Sequence, residues 1–147
     1  TKTLADTDGR IINKMIDDYV DKNDNASAFT SLGQEKYISA LKYIGAVIGN
    51  SSSGIIETAS IPVATVDIGE RESGRIKPKN VIWTKSDTNS IKKSIEEALS
   101  RDFQRSLKKV VNPYFKENTT DSIRKILETA KIKGNPMKDF YDLDSRL

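Results

Sequence analysis

The sequence has no cysteine and no histidine among its 147 residues. The first absence excludes disulfides, zinc–thiolate sites and cysteine nucleophiles. The second removes the commonest general base and the commonest metal ligand. Long apolar runs are missing too; none approaches the ~20 residues of a membrane span. No secretory leader is visible, and a soluble cytoplasmic protein is expected. The chain opens without Met, in mid-pattern, as a fragment or processed product would. Aromatic residues make up only 7%, and no basic block interleaves with them, so the usual footprint of a nucleic-acid binder is lacking.

Charge, by contrast, is plentiful: 31% of residues are charged, with a net charge of +3. Most lysines and arginines alternate with acids along helix faces. The small positive excess suits an anionic small ligand, although solvated helix faces account for most of it. The length is enough for one domain with a real core.

Apolar periodicity orders the chain. Residues 3–9 are polar, and Asp6, Thr7 or Asp8 can cap the helix that follows. Ile11, Ile12, Met15, Ile16, Tyr19 and Val20 recur at helical spacing. Residues 26–30 read as a weak strand. Ser31 and Gln34 match a capping box ahead of a helix with Tyr37, Ile38, Leu41 and Ile44 on one face. Gly45 sits where a left-handed residue ends a helix. Residues 46–48, 62–66 and 80–83 are short apolar runs with the look of buried strands. Asp87 or Thr88 caps a helix carrying Ile91, Ile95, Ala98 and Leu99. A further helix carries Phe103, Leu107 and Val110 and ends at Asn112-Pro113. A last one carries Ile123, Ile126, Leu127 and Ala130. Strands alternating with helices predict an α/β fold, a Rossmann-like parallel sheet flanked by helices. We take 1–133 as the domain and 134–147 as a tail packing back on it or on a partner.

The most distinctive stretch is Gly49-Asn50-Ser51-Ser52-Ser53-Gly54-Ile55-Ile56-Glu57. It is neither a Walker loop nor a GxGxxG pattern. It reads as strand, polar loop and helix start, with Glu57 in the first helical turn. Backbone N–H groups at a helix start lack internal partners and favour anions. Ser51 and Ser52 add hydroxyl donors to N–H groups around Ser53 and Gly54, so the stretch is a candidate phosphate cradle. The plainer reading is a structural turn in which Ser and Asn cap. Glu57 is either a surface acid matched to the helix dipole or a carboxylate accepting two ribose hydroxyls. Arg71 and Arg75 lie in the loop after the second strand, where each is a solvated turn residue or a bidentate phosphate ligand. Leu32 either packs its helix or edges a flat base with its backbone. The acids Asp6, Asp8, Asp17 and Asp18 are better explained as capping than as a metal site. Loops after parallel strands share one sheet edge, where ligands gather, so the serine loop and the Arg71 loop are expected side by side.

These motifs, with Gly9-Arg10-Ile11-Ile12-Asn13, Ile61-Pro62-Val63 and Asp67-Ile68-Gly69-Glu70-Arg71-Glu72-Ser73-Gly74-Arg75, resemble the UDP-N-acetylglucosamine 2-epimerase family, in particular its hydrolysing branch. The resemblance covers nearly the whole chain. It implies the C-terminal half of a two-domain GT-B fold. It also implies that Ser51 and Ser52 bind the diphosphate of UDP with Ser53 and Gly54, that Glu57 holds the ribose and that Arg71 sits in the nucleotide site. The backbone near Leu32 would touch uracil. The implied chemistry is elimination of UDP with loss of the C2 proton, then addition of water with inversion, releasing a manno sugar. Acid and base groups would come mainly from an N-terminal domain, so this segment alone would not turn over. At Leu4-Ala5-Asp6 the chain departs from the family pattern, which has Asn ahead of the Asp. Expected partners are a UDP-sugar, the missing N-terminal domain and further copies in a homo-oligomer. No cofactor, metal, nucleic acid or membrane is expected. Two other readings stay open: a GT-B glycosyltransferase domain, and a non-catalytic anion-binding module.

Overall fold

The computed structural model describes residues 9–130, so the proposed caps Asp6, Thr7 and Asp8 and the tail 134–147 lie outside the described residues. The chain divides into two compact units, Thr1–Tyr114 and Phe115–Leu147. In the first unit the order is α1 (Gly9–Val20), α2 (Gly33–Leu41), β1 (Ala46–Gly49), α3 (Ser53–Ile56), β2 (Ala64–Ile68), β3 (Val81–Thr84), α4 (Thr88–Leu99) and α5 (Arg101–Ser106). A 3-10 turn, Leu107–Lys109, follows α5. The described part of the second unit holds α6 (Thr119–Thr129), with Ile123, Ile126 and Leu127 exposed.

The three strands form one parallel sheet in the order β1-β2-β3. Ala46 pairs with Ala64 and Gly49 with Asp67, while Asp67 in turn faces Trp83 on β3. The α/β reading therefore holds. The central strand β2 is buried over Ala64, Thr65, Val66 and Asp67, as a strand covered on both faces should be. Alternation of side chains separates those faces. Ala64, Val66 and Ile68 join Ala98, Leu107, Ile95 and Phe103 in the core beside α4. Thr65 points the other way and meets α3, where Gly54 lies against it.

Several expectations need correction. Residues 26–30 are not a strand: the Ala26 N–H turns back to the Asn23 carbonyl at 2.9 Å, and one large apolar residue, Phe29, cannot anchor a strand. Ser31 is not the cap of the next helix, whose N-cap is Leu32; its hydroxyl accepts from the Gly33 N–H at 3.2 Å, one residue short of the capping-box partner. Gly45 is not left-handed. Its role is space, because a Cβ there would come 3.0 Å from Leu99 Cδ2. β2 runs on through Asp67 and Ile68, so the loop begins at Gly69. The α5 segment shortens to Ser106 before the 3-10 turn.

Asp87 caps α4 as expected, accepting from the Ser90 N–H at 2.9 Å. Hydrogen bonding from the Ser90 side chain and backbone holds its carboxyl below the ordinary value. A carboxyl depressed by folding adds stability above its unfolded pKa, and that increment is lost as pH falls through the folded one. Asp87→Asn keeps an acceptor oxygen but cannot ionise. The stability gap between wild type and D87N should therefore be widest at neutral pH and shrink toward pH ~3. Thermal melts across that range check this; a gap independent of pH would contradict it.

Among the described residues no helix is long and apolar enough to cross a membrane, and no three His, Cys, Asp or Glu side chains cluster as metal ligands.

Candidate functional site

Because β1 and β2 are parallel neighbours, the turn after Gly49 and the loop after Ile68 leave the same sheet edge. The serine turn is tighter than the sequence suggests. The helix α3 starts at Ser53 and ends at Ile56 after four residues, with Ser52 as its N-cap and Glu57 as its C-cap. Glu57 is thus at the end of α3 rather than in its first turn. One turn carries little macrodipole, so attraction for an anion rests on individual donors.

Those donors can be identified. The Gly54 N–H is already engaged with the Ser51 carbonyl at 2.9 Å, and those of Ile55 and Ile56 with the Ser52 carbonyl, each at 2.9 Å. The N–H groups of Ser51, Ser52 and Ser53 have no acceptor among the described residues. Neither do the hydroxyls of Ser51 and Ser52. The Ser53 hydroxyl donates to the Tyr37 hydroxyl at 2.6 Å. Gly54 contributes closeness instead of a donor: a Cβ there would sit 2.9 Å from Thr65 Cγ2.

Beside the turn lies a cleft of about 410 Å³, walled by the start of α2 and by Ser53 and Glu57. Leu32, the N-cap of α2, lines it together with Tyr37 and Ile38. The fold thereby brings Leu32 beside Ser53 and Glu57, which lie more than twenty residues further along the chain. Glu57 Oε2 is buried and receives no hydrogen bond. A buried carboxylate oxygen without a donor is costly to leave so, and a ligand hydroxyl is the natural partner. A concave, largely apolar lining with a few convergent polar groups is the usual make-up of a small-molecule site.

Arg71 does not line this cleft. It is exposed in the loop after β2, whose base is braced. Gly69 takes φ +80° at the strand exit, a conformation favouring glycine, and its carbonyl accepts from Trp83 Nε1 at 2.5 Å. Asp67, 1% exposed, has Lys77 Nζ 3.3 Å from Oδ2, close enough for charge pairing but without hydrogen-bond alignment. Lys77 also lies 5.7 Å from the Trp83 ring centroid. Within the loop, Glu72 pairs with Arg75, leaving Arg71 as the arginine there without an ion-pair partner among the described residues.

By sequence, Tyr37 belongs to an apolar helix face and Asp67 has no role. The available signal for Tyr37 is its hydroxyl, which needs a polar neighbour when half-buried. For Asp67 it is an acid closing an apolar strand run.

The profile of the UDP-N-acetylglucosamine 2-epimerase family matches residues 1–128. The chain belongs to this family. Among its relatives, the polysialic acid biosynthesis protein P7 of Escherichia coli is 37% identical over 140 residues, covering 95% of this chain and 36% of that protein. The GDP/UDP-N,N'-diacetylbacillosamine 2-epimerase (hydrolyzing) of Campylobacter jejuni is 37% identical over 107 residues, 72% of this chain and 27% of the relative. A UDP-N,N'-diacetylbacillosamine 2-epimerase (hydrolyzing) of Legionella pneumophila is 34% identical over 97 residues, 66% of this chain and 26% of that protein. The chain thus spans about a third of the length of these relatives, or less.

Proposed function

We propose that this chain is the nucleotide-binding half of a hydrolysing UDP-N-acetylglucosamine 2-epimerase, the C-terminal Rossmann-like domain of a GT-B enzyme. The observation that carries the reading is Glu57: a buried carboxylate oxygen without a donor, in a cleft shared with Leu32 and Ser53, beside three unengaged serine amides. UDP would lie with uracil against the backbone at Leu32 and its ribose hydroxyls on Glu57. Its diphosphate would take the N–H and hydroxyl groups of Ser51 and Ser52 and the Ser53 amide, with Gly54 keeping the turn close to the sheet.

The chemistry follows from where charge develops. Elimination across C1–C2 of the sugar leaves negative charge on the departing diphosphate. Donors already fixed on those oxygens stabilise it most in the transition state. Water then adds to the unsaturated sugar, giving the 2-epimer as a free sugar. The acid and base groups belong to an N-terminal domain facing this one across the cleft. In this reading residues 1–133 form the nucleotide domain, 134–147 pack as a tail on it or its partner domain, and the enzyme is a cytoplasmic homo-oligomer that uses no cofactor.

Product analysis with the complete protein tests this. UDP and a free manno-configured amino sugar, with solvent deuterium at C2, are expected from the matching UDP-sugar. A glycoside formed only when an acceptor is added would instead indicate a glycosyltransferase. Absence of UDP binding would indicate a non-catalytic module. Arg71→Ala in the complete enzyme should raise KM about tenfold, the scale of one charged phosphate contact. Unchanged steady-state kinetics would remove Arg71 from the site.

A further inference from the structure

Beneath the serine turn lies a buried polar cluster that a nucleotide could not touch. Thr58 and Asn80 are 0% exposed and Thr65 2%. The Thr58 hydroxyl donates to the Gly54 carbonyl at 2.7 Å. It accepts from the Thr65 hydroxyl at 3.0 Å and from Asn80 Nδ2 at 3.0 Å. Asn80 Nδ2 also donates to the Val63 carbonyl at 2.7 Å, and the Asn80 carbonyl accepts from the Thr65 N–H at 2.8 Å.

A hydroxyl has one proton and two lone pairs. Both lone pairs of Thr58 face donors, so its proton has one remaining direction, the Gly54 carbonyl. A threonine bonding back four residues is a local habit in helices. Here the habit is locked by side chains from β2 and from the segment entering β3. The carbonyl so held belongs to Gly54, whose own N–H closes the turn on Ser51. Thr58 also follows Glu57 directly, and its N–H donates to the Ser53 carbonyl at 3.3 Å. The backbone of the turn at Ser53 and Gly54, and the Cα from which Glu57 projects, are thereby referred to the sheet.

We infer that Thr58, braced by Thr65 and Asn80, is a positioning residue for UDP: it sets the serine turn and Glu57 in register with the sheet without contacting the ligand. This rests on the nucleotide reading given above. Displacement of a binding group by even ~1 Å is enough to weaken function severely, and a one-turn helix has little rigidity of its own.

The test uses the complete protein and three variants. Thr58→Val keeps the shape and removes the hydroxyl, leaving the Gly54 carbonyl unpartnered. Thr58→Ser keeps the hydroxyl. Ser52→Ala probes the binding turn itself. UDP affinity is measured by calorimetry well below the melting temperature, with the folded fraction fixed by circular dichroism. The expected result is about tenfold weaker UDP binding in folded Thr58→Val, the scale of one lost interaction, and recovery to within about twofold in Thr58→Ser. In turnover the loss should fall on KM more than on kcat. Wild-type affinity in folded Thr58→Val, with only a lowered melting temperature, would overturn the inference and leave Thr58 a core residue. If Thr58→Val fails to fold, Asn80→Ala, which removes one brace, replaces it with the same expected direction. Ser52→Ala separates the two claims. If it leaves UDP affinity unchanged, the nucleotide site is misassigned and the inference falls with it. If it weakens binding while Thr58→Val does not, the site stands and the positioning role alone is wrong.

Discussion

Glu57→Ala in the complete protein should weaken UDP binding about a hundredfold, equivalent to ~2.8 kcal/mol, without lowering the melting temperature. The two halves of this result have one cause. Hydrogen bonds to a charged acceptor contribute ~1.5–3 kcal/mol each, and a ribose presents two hydroxyls. Within the protein, however, Glu57 Oε2 has no donor to lose. A residue whose role was folding would show the opposite pattern, a lower melting temperature at unchanged affinity. Glu57→Gln, which keeps one acceptor without the charge, should fall between wild type and Glu57→Ala. Calorimetry with UDP and thermal melts on the same samples check both halves.

The second large effect concerns Gly54. Gly54→Ala would place a Cβ 2.9 Å from Thr65 Cγ2. Thr65 cannot readily rotate aside, because β-branched side chains are stiff at χ1 and its hydroxyl is held on Thr58. The turn must therefore lift off β2. Overpacking of this kind costs ~1–3 kcal/mol, a fall of several degrees in melting temperature for a domain of about this size. UDP binding should weaken with it. Adding Thr65→Ser removes the offending methyl and keeps the hydroxyl, so the double variant should recover most of the loss. A single variant as stable as wild type would show that the turn does not press on the strand.

How much of this was legible in the sequence depends on which interactions set each feature. The strands 46–48 and 62–66 and the Asp87 cap were visible because local apolar runs and a side-chain cap decide them. The alternation of strand and helix was enough for a parallel sheet, and the two loops share an edge as a result. Features decided by distant partners were not visible. Gly45 looks like a helix stop, yet its lack of a side chain answers to Leu99, 54 residues on. α3 stops after four residues where the Thr58 hydroxyl, not its N–H, takes the Gly54 carbonyl. Residues 26–30 had weak strand character and no neighbour to pair with. At the site, Ser51, Ser52, Ser53 and Glu57 stood out by composition. The joining of Leu32 to Ser53 and Glu57 in one cleft, and the Ser53–Tyr37 hydrogen bond, needed the fold.

The central claim, that residues 51–57 with the start of α2 form a uridine nucleotide site, is tested most directly by a crystal structure of the complete protein with UDP. Diphosphate oxygens within hydrogen-bond reach of the Ser51, Ser52 and Ser53 amides, with the ribose on Glu57 Oε2, is the predicted result. UDP bound elsewhere, with the serine turn unoccupied at saturating ligand, would contradict it.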